Sequence, residues 1–132
     1  MEMNYVLDTS AYARAFAGDE SLASLLSPGS NIYVPVIVLG ELSAGFEYGS
    51  RPQENYRILH EFMGKPNVVA LIVDEDTAAN YGRIYAQLRR EGKMINLSDI
   101  WIAALCVQHD LPLLTFDNDF RKVEGLELVH KP

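Results

Sequence analysis

A chain of 132 residues is long enough for one domain with a sizeable core and too short for two. Its apolar share of 48% and charged share of 22% are ordinary for a soluble globular protein, and no run approaches the ~20 apolar residues of a membrane span. Eleven basic against 18 acidic residues give a net charge of -7, which argues against a protein that coats DNA non-specifically. It does not argue against a nuclease, because each divalent ion bound by carboxylates offsets two of those charges. The N-terminus has no basic region followed by a long apolar stretch, so no signal peptide is expected. The single cysteine, Cys106, has no partner for an internal disulfide, which fits a reducing cytoplasm.

In chain order, Asn4–Leu7 reads as a short buried strand, followed by a helix through Ala17. Ser21–Leu26 reads as a second short helix, closed by the Ser27-Pro28-Gly29-Ser30 turn. Asn31–Pro35 is rich in strand-forming side chains. Apolar residues at 38, 39, 42 and 46 then follow helical spacing from Val38 to Tyr48. Pro52 opens a helix over Gln53–Met63, and Gly64-Lys65-Pro66 ends it. Val68–Val73 is a continuous apolar run, the pattern of a parallel strand buried on both faces. Asp76–Arg90 is helical up to Glu91-Gly92, and Asp99–His109 is helical and apolar nearly all round, hence deeply packed. Pro112–Thr115 is a strand, Asp119–Val123 a helical turn, and Leu126–Val129 a last short strand. Strands alternating with helices imply an α/β domain over residues 1–132 with a mostly parallel sheet. On the Tyr81–Leu88 helix face, Ile84, Tyr85 and Leu88 suit either the core or an interface, and the core is the expected use.

Four acids stand in apolar company rather than on a solvated face: Asp8, Glu41, Asp99 and Asp117. Asp8 and Asp117 fall just past the carboxyl ends of strands, the edge where open α/β sheets bind ligands. Glu41 lies beside the apolar stripe of its helix, and Asp99 lies in the first turn of a buried helix, where its charge suits the dipole. Each also has a plain structural use. Asp8 suits a helix cap, Glu41 a solvated helix position, Asp99 a helix start, and Asp117, Asn118 and Asp119 a turn. Brought together, however, two carboxylates ~4 Å apart repel by about 4 kcal/mol at an effective dielectric near 20. Such a group persists only if it is protonated or holds metal. An oxygen-only set suits Mg²⁺ or Mn²⁺. The three histidines (His60, His109 and His130) are scattered and Cys106 is alone, so zinc is not expected. No phosphate-binding Gly-Lys-Ser/Thr loop and no nucleophilic triad signature are present.

With these acids in place, four segments together resemble the PIN domain, and within it the VapC-type toxins of toxin–antitoxin pairs. They are Val6-Leu7-Asp8-Thr9-Ser10, Glu41-Leu42-Ser43-Ala44-Gly45, Asp99-Ile100-Trp101-Ile102-Ala103-Ala104 and Leu114-Thr115-Phe116-Asp117-Asn118-Asp119-Phe120. Their order and spacing span essentially the whole chain. The resemblance implies a PIN-like (Rossmann-like) three-layer α/β/α domain with strand order 3-2-1-4-5, and a ribonuclease site using Mg²⁺ or Mn²⁺. It makes Asp8, Glu41, Asp99 and Asp117 the catalytic acids, with Asp8, Asp99 and Asp117 on the metal. Asp119 is an extra acid that shares or replaces the role of Asp117, and Ser10 stands where many relatives carry Asn. Thr9, Ser10 and Thr115 are candidate hydrogen-bond donors to a carboxylate, water or phosphate, or turn residues. Arg14, Lys93 and Arg121 flank the motifs and are candidate RNA contacts. The resemblance further implies a VapB-like antitoxin, a homodimer and a cytoplasmic setting. The alternatives are a PIN nuclease outside toxin–antitoxin systems and a PIN-like module that binds without cutting. A haloacid-dehalogenase-like phosphatase would need an Asp at position 10, where Ser10 stands. A response-regulator receiver would need an acidic pair near the first strand and a lysine after the last, and neither is found.

Overall fold

Four short apolar segments form one parallel sheet in the computed structural model, which describes residues 3–22 and 26–129. They are β1 (Met3–Leu7), β2 (Ser30–Pro35), β3 (Val68–Leu71) and β4 (Leu113–Leu114), in the order 3-2-1-4. β1 pairs with β2 on one side and β4 on the other, which is why Tyr5, Val6 and Leu7 are fully buried. The expected fifth strand, Leu126–Val129, is reduced to a single parallel bridge from Leu113 to Leu128. Leu113 donates to the Glu127 carbonyl and accepts from the Val129 N–H, both at 2.8 Å. Because β4 is only two residues long, it offers no further ladder for the chain end to extend.

β3 also departs from expectation. It is the edge strand, bonded to β2 alone, as the expected order has it, but its apolar run reads as buried on both faces and is not. Val69 faces solvent from within the ladder, and the chain leaves the ladder after Leu71, so Ile72 and Val73 do too, with Ile72 72% exposed. Composition identifies an apolar strand; only its neighbours decide how much of it is covered.

Helices flank the sheet. α1 (Thr9–Phe16) starts directly on β1, with Asp8 as its N-cap. α2 (Val36–Tyr48) starts directly on β2, and α3 (Pro52–Met63) opens with a proline, whose missing N–H costs nothing in a first turn. α4 (Glu75–Arg90) carries a capping box between Asp74 and Thr77. α5 (Leu97–His109) is capped by Asn96 and ends at Asp110 in the left-handed region, φ 52°. As its all-round apolar pattern predicts, α5 buries Ile100, Ile102, Ala103, Ala104, Leu105 and Cys106. α4 packs on it through Tyr81, stacked on Trp101 at 4.1 Å, and through Gln108, which accepts from Thr77 and donates to Asp74. Ile84 and Leu88 are buried, so that face of α4 does serve the core.

The short helix expected over Ser21–Leu26 falls largely on residues 23–25, outside the described residues; a 3₁₀ turn at Glu20–Leu22 is its described part. His130 also lies outside the described residues. Among the described residues no helix is long and apolar enough to cross a membrane.

Candidate active site

The pairing of β1 with β4 sets the geometry of the site. Leu7 stands opposite Leu114, so Asp8 and Thr115 leave the sheet side by side at its carboxyl edge. Asp8 is 4% exposed and does two things at once. Its Oδ1 accepts from the Ala11 N–H at 2.9 Å, capping α1, as the plain reading of this residue anticipates. It also accepts from Ser10 Oγ at 2.8 Å, and its Oδ2 accepts from Thr115 Oγ1 at 2.5 Å. Each hydroxyl has one proton and spends it on Asp8. Ser10 Oγ and Thr115 Oγ1 are therefore left to accept, from the N–H groups of Phe116 and Asp117 at 3.0 Å each. Burial pushes the Asp8 carboxyl above its ordinary pKa, the Thr115, Ala11 and Ser10 bonds oppose this, and the charge of Asp117 adds to the rise.

Thr115→Val keeps the shape and removes the donor. It is expected to cost about 1–2 kcal/mol, because the Asp117 N–H loses its acceptor and Asp8 loses a bond in a buried place. An unchanged urea midpoint would show that this bond carries no weight.

Glu41, half-buried on α2, accepts from Thr9 Oγ1 at 2.8 Å and from Ser98 Oγ at 3.3 Å. It thus ties the first turn of α1 to the first turn of α5. Ser98 is not among the residues that the acidic motifs single out. The available signal was its place two residues after a capping Asn96, which fixes it in the same first turn.

Asp99 is the third residue of α5 and half-buried. Its carboxyl is pushed up to about 6, first by burial and then by the charges of Glu41, Asp117, Asp8 and Asp119 in that order. No hydrogen bond to this carboxylate offsets those charges among the described residues.

Asp117 caps the 3₁₀ turn Asn118–Lys122 by accepting from the Asp119 N–H at 2.9 Å. Asp119 is drawn instead to Lys122, at 3.1 Å, and acts least on Asp99 of the four acids around it.

The acids predicted to meet therefore lie within electrostatic reach of one another around Asp99. They do not stand at coordination distance: among the described residues no three Asp, Glu, His or Cys side chains are placed to hold an ion as they are. Hydroxyl and N–H donors hold Asp8, Glu41 and Asp117 where they stand, and mutual repulsion favours that spacing. The donor set is all oxygen, and the negative charges gathered around Asp99 are of the sign a cation would offset. That chemistry fits a hard divalent ion.

Of the basic candidates, Arg14 lies over the Phe116 ring at 4.3 Å and within 3.9 Å of Asp19. Arg121 lines a cleft of about 310 Å³ with Thr115, Phe116 and Asp117. Lys93 is exposed on the loop that leads into α5.

The PIN domain family model matches residues 5–126. The chain belongs to the PIN domain family. Within it the chain is similar to Ribonuclease VapC5 of Mycobacterium tuberculosis, with 29% identity over 124 residues, covering 94% of this chain and 90% of that protein. Ribonuclease VapC4 of the same organism is 30% identical over 96 residues, 73% of this PIN protein and 74% of that one. The crystal structure of VapBC-5, from the VapBC family of toxin–antitoxin systems of M. tuberculosis, superposes with a TM-score of 0.71. It shares 27% identity, covering 96% of this chain and 98% of that chain. These likenesses bear out the VapC-type resemblance read from the four acidic motifs.

Proposed function

We propose that this PIN protein is a metal-dependent endoribonuclease, the toxin of a toxin–antitoxin pair, which hydrolyses RNA phosphodiester bonds with Mg²⁺ or Mn²⁺. The observation that carries the reading is the gathering of acids around Asp99: a half-buried carboxylate with no hydrogen bond among the described residues, within reach of Glu41, Asp117, Asp8 and Asp119. Repulsion of that kind has a chemical use where a cation relieves it. The ribonuclease names of the similar proteins support the reaction class.

Asp8, Asp99 and Asp117 would hold the ion, and Glu41 would orient the attacking water. A divalent ion supplies Lewis acidity there, making water more acidic and offsetting charge that builds on the phosphate. The water oxygen would attack phosphorus as the bond from phosphorus to one ribose oxygen breaks; the water proton would pass to a carboxylate, and the departing ribose oxygen would take a proton from solvent. Thr9 and Ser98 hold Glu41 for this task, while Ser10, Thr115 and the Ala11 N–H hold Asp8. Orientation fixed before substrate arrives is what these bonds contribute. Asp117 is the fourth acid in this reading, since Asp119 is committed to Lys122.

The likeness to VapBC-5 supports a VapB-like antitoxin as partner; a homodimeric toxin in the cytoplasm is part of the same proposal. The purified protein is expected to cut total RNA at defined positions with Mg²⁺ or Mn²⁺ and to stop on chelation. A clean preparation that cuts no RNA with either ion would end the proposal.

A further inference from the structure

Beside Asp117 the cleft of about 310 Å³ runs from the end of β4 to the returning segment at 126–129. That volume is at the small end of the ~300–1,000 Å³ usual for ligand sites, the scale of one nucleotide. Its walls are of two kinds. Phe116, Leu128 and Val129 are apolar, and Thr115, Asp117, Asn118 and Arg121 are polar, with Asp117 at the end toward the acids. The Phe116 ring is held by the Arg14 guanidinium 4.3 Å from its centre. The turn Asn118–Lys122 also divides its two cations. Lys122 is neutralised by Asp119, whereas Arg121 lines the cleft and makes no ion pair among the described residues.

A cation left unneutralised next to an apolar wall suits a ligand that is itself charged at one end and flat and apolar at the other. Single-stranded RNA has this character: its unstacked bases lie on aromatic and apolar side chains, their edges take hydrogen bonds, and each carries a phosphate. Resting on the ribonuclease reading above, we infer that the cleft holds the nucleotide next to the scissile bond. The base lies against Phe116, Leu128 and Val129, the Asn118 carboxamide bonds to its edge, and Arg121 takes its phosphate. Asn118 is then a specificity-determining residue, because a carboxamide both donates and accepts and so distinguishes base edges. Arg121 binds a group that all nucleotides share, so it grips without choosing.

The test compares wild type, Asn118→Ala and Arg121→Gln on short RNAs varied one position at a time. One arm measures cleavage with Mn²⁺; the other measures binding by fluorescence anisotropy in chelator, where nothing is cut. Wild type is expected to prefer one base on the order of tenfold at a single position, next to the cut. Asn118→Ala is expected to shrink that preference to about threefold or less. Arg121→Gln is expected to weaken every sequence alike and to lower the salt slope by about 0.7, as for one lost phosphate contact on a single strand. A wild type indifferent to base, or an Asn118→Ala variant with its preference intact, would overturn the inference. If wild type cuts nothing, the ribonuclease reading fails separately, and the binding arm still decides this one.

Discussion

Asp8→Asn is expected to lower RNA cleavage by on the order of 10³-fold or more while leaving the fold in place. The loss follows from removing one carboxylate of an ion site that supplies several kcal/mol of charge stabilisation, each 1.36 kcal/mol being about tenfold in rate. Retention of the fold follows from the hydrogen bonds. The amide oxygen of asparagine still accepts from the Ala11 N–H and the Ser10 hydroxyl, and its NH₂ faces the Thr115 hydroxyl, which turns to accept. Asp8→Ala is a poorer probe. On charge alone it relieves repulsion and ought to leave folding largely intact. The structure gives the opposite sign, because alanine strips the cap from α1 and orphans two hydroxyls in a nearly closed place. That change is expected to cost about 2–4 kcal/mol, summing a lost cap and buried polar groups without partners. Thermal melts of both variants beside wild type, with cleavage measured on the same samples, separate the two effects. An Asp8→Asn protein that still cuts at a tenth of the wild-type rate would remove Asp8 from the chemistry.

The contrast between those variants marks how far the sequence was legible. That Asp8 ends one strand and Thr115 follows another is plain from the apolar runs Tyr5-Val6-Leu7 and Leu113-Leu114. That the two strands are neighbours in register, so that the Thr115 hydroxyl reaches Asp8 from 107 residues away, is set by sheet order and not by either run. The same holds for Ser98, whose bond to Glu41 depends on how α5 meets α2. Local pattern placed the helices well, because capping residues and turn formers act within a few positions. It failed on β3 and on the segment after Leu126. An apolar run looks alike at the centre and at the edge of a sheet, and a two-residue strand leaves little to pair with. It was also silent on spacing: the acids share one region, yet their own hydrogen-bond donors keep them short of ligand distance.

Asp99→Asn is expected to stabilise the metal-free protein while abolishing both cleavage and the stabilisation that metal confers. The sign comes from the carboxyl's raised value in the folded state, about 6 against an ordinary 3.8. Between those pH values the native protein keeps a proton that the unfolded chain has released, so this group makes stability fall as pH rises through the window. Below the window both states are protonated, and above it both are ionised with the full penalty in place. Asparagine has no charge to lose, so its advantage over wild type should be absent near pH 4, grow to about pH 6 and then level off. Asp99 is only half-buried, and solvent screening reduces the gain to about 1 kcal/mol. For a domain of this size that is roughly 3–5 °C in Tm. Taking the difference between the two proteins cancels the titration of Asp8 and of the surface carboxylates, which the two share. Adding Mg²⁺ or Mn²⁺ at 100 times its Kd should return about 2.7 kcal/mol to wild type, and far less to the variant. An Asp99→Asn protein that melts below wild type in chelator, or that gains as much from metal, would show that Asp99 is neither the strained acid nor an ion ligand.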